Sequence, residues 1–211
     1  STPIKSSAAS DVYKRQSNKT IYDGFEASKI DYNPELKAFY EDTARSGSGR
    51  PANPNMDSGQ RLAGFATGET PVSSYDSEVK ESYGDYADAA VVVISRIGGE
   101  GFDLPRTMAT DFDYTTAVEG ASSPEDHYLE LDANEKDMIA EAKANFDKVI
   151  VVLNVGGVMD MSWDNLCDAV LYVWKGGQEG GNAVADVLTG KVSPSGKLTD
   201  TIVRDLSKVP A

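Results

Sequence analysis

Apolar positions along this chain fall into two alternating rhythms. The run AAVVVIS over 89–95 is continuous and β-branched with polar residues on either side, the pattern of a strand covered on both faces. VIVVLN over 149–154 and AVLYVW over 169–174 repeat it, and together they predict three buried strands. Between them the spacing changes to that of helices. In LDANEKDMIAEAKANF, Asp132 stands as a cap, Glu135 comes three places on as a capping box, and Met138, Ile139, Ala142 and Phe146 share one face. NPELKAFYEDTAR over 33–45 predicts another helix, with Asn33 as cap, Pro34 in the first turn and Leu36, Phe39 and Tyr40 at helical spacing. SSYDSEVKESYGDYAD predicts a third, capped by Ser73 or Ser74 and delivering the chain into the first strand. GGQEGGNAVADVLTG opens a helix at a glycine-rich N-terminus, and KVSPSGKLTDT over 191–201 ends in a turn and a last short strand.

Strand and helix in alternation imply an α/β fold, a mostly parallel sheet with helices on both faces. Ligands of such sheets gather at the carboxyl ends of the strands. Two stretches lack either rhythm. Residues 46–71, rich in Gly, Pro, Asn and Ser, read as a surface excursion. Residues 96–131 form a loop too long for a simple strand-to-helix turn, and loops of that length commonly carry function. The opening residues 1–16 show no periodicity and no turn logic joining them to Ile21; they are expected to be non-native or disordered, leaving 17–211 as the folded domain.

Charge and composition narrow the function classes. With 34 acidic against 20 basic residues the formal charge is -14, which repels a phosphate backbone and argues against nucleic acid as a partner. The longest apolar runs are strand-sized, well short of the ~18 residues of a membrane span, so no membrane partner is expected. One cysteine, Cys167, and one histidine, His127, cannot form a disulfide framework or a structural zinc set; no serine or cysteine lies in a nucleophile-elbow context, which argues against a triad hydrolase, and no metal or cofactor is implied. The glycines of GGQEGGNA match neither phosphate-binding fingerprint; Gly176, Gly177, Gly180 and Gly181 read as allowing tight helix-to-sheet packing, with Glu179 placed favourably at a helix N-terminus. Trp163 and Trp174 read as core residues or as the lining of a domain interface.

Four segments in order, VVVISRIGGEGFD, HYLELDANEKDMI, VIVVLNVGGVMDM and AVLYVWKGGQEGGNAVADVLTGKVSPSGKLTDT, resemble the α/β sandwich domain of family 3 glycoside hydrolases. The resemblance spans roughly 34–210 and implies part of a retaining β-glycosidase of β-glucosidase type, whose active site lies between a barrel domain and this sandwich. In that family the barrel supplies the nucleophilic aspartate, and its Ser-Asp-Trp motif is absent from these residues, so the chain is expected to be a fragment that is inactive alone; because the sequence that matches starts just before a helix, the first strand of the sheet is expected to be missing too. Retaining hydrolysis needs two carboxyl groups about 5–5.5 Å apart. By the resemblance Glu100, in GGEG directly after the first strand, is the general acid/base. Its neighbours Gly98, Gly99 and Gly101 suit a backbone that comes close to a substrate, and a sugar covering the carboxyl would raise its pKa toward the operating pH. Asp103, Asp111, Asp113 and Glu119 stand in reserve for that role.

Arg96, Asp103 and Arg106 are candidate supporting or substrate-binding residues. The family pattern often reads GEGxDR; GEGFDLPR places Leu104 after the aspartate and delays the arginine to Arg106. Arg96 can pair with Glu100 or Asp103, or form a plain structural ion pair. The implied partner is a carbohydrate substrate shared with the barrel; the alternative is a sandwich module kept for carbohydrate binding or scaffolding without catalysis. Sugar preference and cellular location are not readable from these residues.

Overall fold

A computed structural model describes residues 18–47, 66–96, 104–110 and 113–208. Three strands, β1 (Ala90–Ser95), β2 (Val149–Asn154) and β3 (Ala169–Tyr172), form one parallel sheet in the order β1-β2-β3. Val92 faces Val151 across the first pair, and Val151 faces Val170 across the second. The central strand is the most deeply covered, with Val149, Val151, Val152 and Leu153 fully buried. β3 is shorter than its sequence pattern predicts, because pairing stops at Tyr172 and the backbone at Trp174 turns left-handed, with φ 56°.

Parallel strands need long crossovers, and the one from β1 to β2 contains helix α5 (Ala133–Asn145). Its capping box is present as the sequence indicates: Asp132 accepts from Glu135 N at 2.7 Å, and the Glu135 carboxylate accepts from Asp132 N at 3.0 Å. Ile139 and Ala142 pack on one sheet face, with Val92, Ile94, Val149, Val151 and Leu153, and Leu131, Met159 and Trp163 complete that core. Trp163 is therefore a core residue, its indole N–H donating to Asp160 O at 2.8 Å. Phe146 does not continue the helical face. It lies past the helix end in extended backbone and packs against Tyr83, ring centres 5.3 Å apart.

Tyr83 belongs to a second cluster, Phe39, Tyr75, Val79 and Tyr83, to which helices α2 (Pro34–Glu41) and α4 (Ser77–Glu81) bring Phe39 and Val79; a short helix α3 (Thr43–Ser46) follows α2. The cap of α4 is Asp76, whose side chain accepts from Val79 N at 3.0 Å. Ser73 and Ser74 fall instead in a preceding 3-10 turn, because a carboxylate one turn later outcompetes them for the orphan amides.

Helix α1 (Ile21–Ala27) crosses α6 (Gly180–Leu188) at two glycines. A Cβ on Gly181 would sit 1.8 Å from Thr20 O, and one on Gly24 would sit 2.1 Å from Gly181 O. The close approach at Gly181 is thus helix to helix, where the sequence suggested helix to sheet. Residues 191–201 form no strand; they are exposed, so the last short strand of the sequence reading is not present among the described residues.

Candidate functional site

All three strands run the same way, so Ser95, Asn154 and Tyr172 end on one edge of the sheet. There Asn154 Nδ2 reaches Ser95 Oγ at 3.5 Å. The Tyr172 hydroxyl donates to Gly157 O at 2.6 Å and accepts from Met159 N at 3.0 Å, fixing the turn after β2. Trp174 is half-buried at this edge, its ring 4.5 Å from that of Tyr172.

Arg96 leaves the end of β1 and is buried, its side chain 1% exposed against 3% for Glu135. Guanidinium has five N–H groups, and described acceptors take all five. Nε donates to Tyr128 O at 3.1 Å, Nη1 to Ser95 O at 3.0 Å and to Glu135 Oε1 at 2.5 Å, and Nη2 to Glu130 O at 2.7 Å and to Glu135 Oε2 at 2.8 Å. The Tyr128 ring lies 5.5 Å from the guanidinium carbon. Burial alone would lower the Arg96 pKa, but the adjacent Glu135 charge and its hydrogen bonds hold it above its ordinary value. This is the structural ion pair among the readings of Arg96.

Its partner peptide does a second job. Tyr128 N donates to Arg106 O at 3.2 Å, so the backbone groups of Tyr128 hold both Arg96 and Arg106. Next along, Thr107 bridges His127 and Met108 N donates to Asp126 O at 2.8 Å. Met108, Val118 and Tyr128 form a small core within this long loop. His127 Nδ1 accepts from Leu129 N at 3.2 Å, a packing role.

Further carboxylates gather beside Arg96. Thr67 donates to Asp132, Asn134 Nδ2 donates to Glu69 O at 3.1 Å, and Tyr40 donates to Glu69 Oε1 at 2.8 Å. Burial raises the Asp132 pKa, with Glu135 adding to it, and pushes the Glu69 carboxyl up to about 7. The end of the expected surface excursion is therefore inside the fold: Thr67 and Thr70 are buried.

Glu100, Asp103 and Asp111 lie outside the described residues. Asp113, Glu119 and Arg106 have exposed side chains; the structure brings Arg106 to Arg96 only through backbone, at Tyr128. The residues that sequence reasoning did not connect are Glu135, Tyr128 and Glu69. Glu135 carried a signal as a capping residue, but nothing in the spacing announced that an arginine far upstream shares its carboxylate. Among the described residues no group of three or more His, Cys, Asp or Glu could hold a metal ion, and no helix is long and apolar enough to cross a membrane.

An open parallel α/β sheet whose first strand runs into a long, internally packed loop at its carboxyl edge defines an α/β sandwich-type domain with its candidate site at that edge. The profile of the glycosyl hydrolase family 3 C-terminal domain matches residues 4–211, and the chain belongs to that family. It is 39% identical over 160 residues to a β-glucosidase A of Butyrivibrio fibrisolvens, covering 72% of this chain and 19% of that protein. A β-glucosidase of Ruminococcus albus is 38% identical over 138 residues, covering 64% of this chain and 13% of that protein. The crystal structure of a β-glucosidase from Paenibacillus barengoltzii superposes with a TM-score of 0.65 at 30% identity, over 92% of this chain and 19% of that one. The chain thus spans about a fifth or less of the length of these relatives.

Proposed function

We propose that this domain supplies the general acid/base, Glu100, to a retaining β-glucosidase whose nucleophilic aspartate comes from a barrel domain, with the glycoside bound between the two. The observation that carries the reading is positional. In the sequence GGEG follows the last residue of β1, Ser95, by a few positions, in a chain that belongs to family 3 and is similar to β-glucosidases.

In the first step the protonated Glu100 carboxyl gives its proton to the glycosidic oxygen as the bond from that oxygen to the anomeric carbon breaks. The nucleophile's carboxylate forms a bond to the same carbon, and the aglycone leaves as a neutral alcohol. In the second step the Glu100 carboxylate takes a proton from water, whose oxygen attacks the anomeric carbon and releases the nucleophile. Both steps together return the enzyme to its starting protonation.

The test uses the complete enzyme, this chain together with its barrel, carrying Glu100→Ala. A glucoside with a poor leaving group should lose about 10²–10⁴-fold in kcat/KM, while one with a dinitrophenolate leaving group should lose far less. Azide should restore turnover on the activated substrate and release β-glucosyl azide. Equal loss on both substrates with no azide product would reject Glu100 as proton donor and favour a non-catalytic, carbohydrate-binding role for the domain.

A further inference from the structure

We propose that Trp174 is a stacking platform for the leaving-group sugar of a β-glucoside: its ring takes the apolar face of the departing pyranose and sets a preference for sugar over small alkyl aglycones. The placement rests on the reading above, in which this domain protonates the glycosidic oxygen. A domain that gives its proton there stands on the leaving-group side of the bond, so its ligand edge faces the aglycone.

Backbone geometry, support and exposure converge on Trp174. The strand ladder ends where Val173 N donates to Leu153 O at 2.9 Å, and the next residue, Trp174, turns left-handed with φ 56°. Glycine makes such a turn freely, as Gly177 does three residues on with φ 66°. A bulky residue is strained there, and strained residues cluster at ligand sites.

The ring is backed from below. It lies on Tyr172, ring centres 4.5 Å apart and planes 38° apart, and the Tyr172 hydroxyl is pinned between Gly157 O and Met159 N. A platform on a fixed support loses little freedom when a ligand settles on it. The loop that follows is tied at its far end, because Lys19 N donates to Gln178 O at 2.7 Å and Gly181 N donates to Lys19 O at 3.3 Å. The two tryptophans differ in what they leave open: Trp163 is 4% exposed and spends its indole N–H inside the core, while Trp174 is only half-buried at the strand ends.

Donors for hydroxyl groups stand along the same edge. Asn154 follows the Leu153–Tyr172 pair by one position. Lys175 is exposed, and its chain passes so close to Gly156 that a Cβ there would lie 2.8 Å from Cε. A half-open aromatic face with polar donors at its rim suits a β-glucopyranose, whose equatorial hydroxyls leave the ring faces lined with C–H groups. A methyl aglycone offers no such face.

The experiment measures binding to the complete enzyme, this chain together with its barrel, by calorimetry. Two unreacted ligands are compared: thiocellobiose, whose leaving group is a glucose, and methyl 1-thio-β-glucoside, with thermal melting recorded for every protein. Trp174→Ala should weaken thiocellobiose about 3–10-fold more than methyl thioglucoside, and Trp174→Phe should keep most of that difference. All three residues share the same backbone strain, so the comparison isolates the ring. Equal loss on both ligands, as from a merely structural role, or no loss on either, overturns the proposal. If Trp174→Ala does not fold, Trp174→Leu decides in its place; leucine keeps apolar cover on Tyr172 without a flat face and should show the same ligand-selective loss. Because neither ligand reacts, the result is independent of which carboxyl gives the proton. Leaving-group-selective loss in Glu100→Ala alongside unselective Trp174 variants rejects the platform alone. Unselective loss in Glu100→Ala rejects the donor assignment, and the calorimetry still decides the platform.

Discussion

The sheet core and the base of the long loop are equally hidden from solvent, yet they are built from opposite materials. On the sheet, Val92, Ile94, Val149, Val151 and Leu153 meet Ile139 and Ala142 through aliphatic contact alone. A few residues away, Arg96, Glu135, Asp132 and Tyr128 fill the same depth with charge and hydrogen bonds. Aliphatic packing is tolerant, because many side chains of similar volume fill a given space. A buried ion pair is not, since removing one partner leaves the other charged, desolvated and unmatched. Location fits this division: the intolerant material sits at the carboxyl end of β1, the tolerant material behind it.

The largest expected effect that would sharpen this contrast comes from Glu135→Ala. It strands Arg96 and opens the capping box of α5, and should cost about 3–5 kcal/mol in urea denaturation. Leu153→Ala, at the centre of the aliphatic region, should cost about 2–5 kcal/mol, with Leu153→Met recovering most of it. A result in which Glu135→Ala costs no more than a surface change would erase the contrast. Smaller, and visible only as a function of pH, is the contribution of Glu69. Its folded pKa of about 7 exceeds the ordinary 4.5, so the native state binds the proton more tightly than the unfolded chain does. The stabilisation is complete below about pH 4.5 and is lost as pH rises through 7, and it amounts to on the order of 3 kcal/mol. Melting of wild type should therefore fall between pH 5 and 8 from this group, and Glu69→Gln, which keeps an acceptor for Tyr40, should flatten the profile.

Legibility in the sequence divided along the same line. The three strands, α5 and its capping box were readable because periodicity and caps are local properties, carried by AVVVIS, VIVVLN and the Asp132 to Glu135 spacing. The α4 cap was misplaced by two to three residues, because serines and an aspartate compete for one role and only packing decides. No pattern could have shown that residues 191–201 stay exposed, since KLTDT reads as a strand until a pairing edge is required. At the site, the resemblance pointed to Glu100 and its neighbours, but the companions of Arg96 were hidden. Arg96 and Glu135 are far apart in sequence, and ion pairs between separated elements leave no periodic trace. Tyr128 was harder still, because it acts through its peptide groups, which every residue has.

The most direct measurement of the central claim is a structure of the complete enzyme with an intact thioglucoside bound between its domains. The Glu100 carboxyl should lie about 3 Å from the glycosidic sulfur. A Glu100 side chain turned away from the sugar, with another carboxyl at that sulfur, would contradict the account.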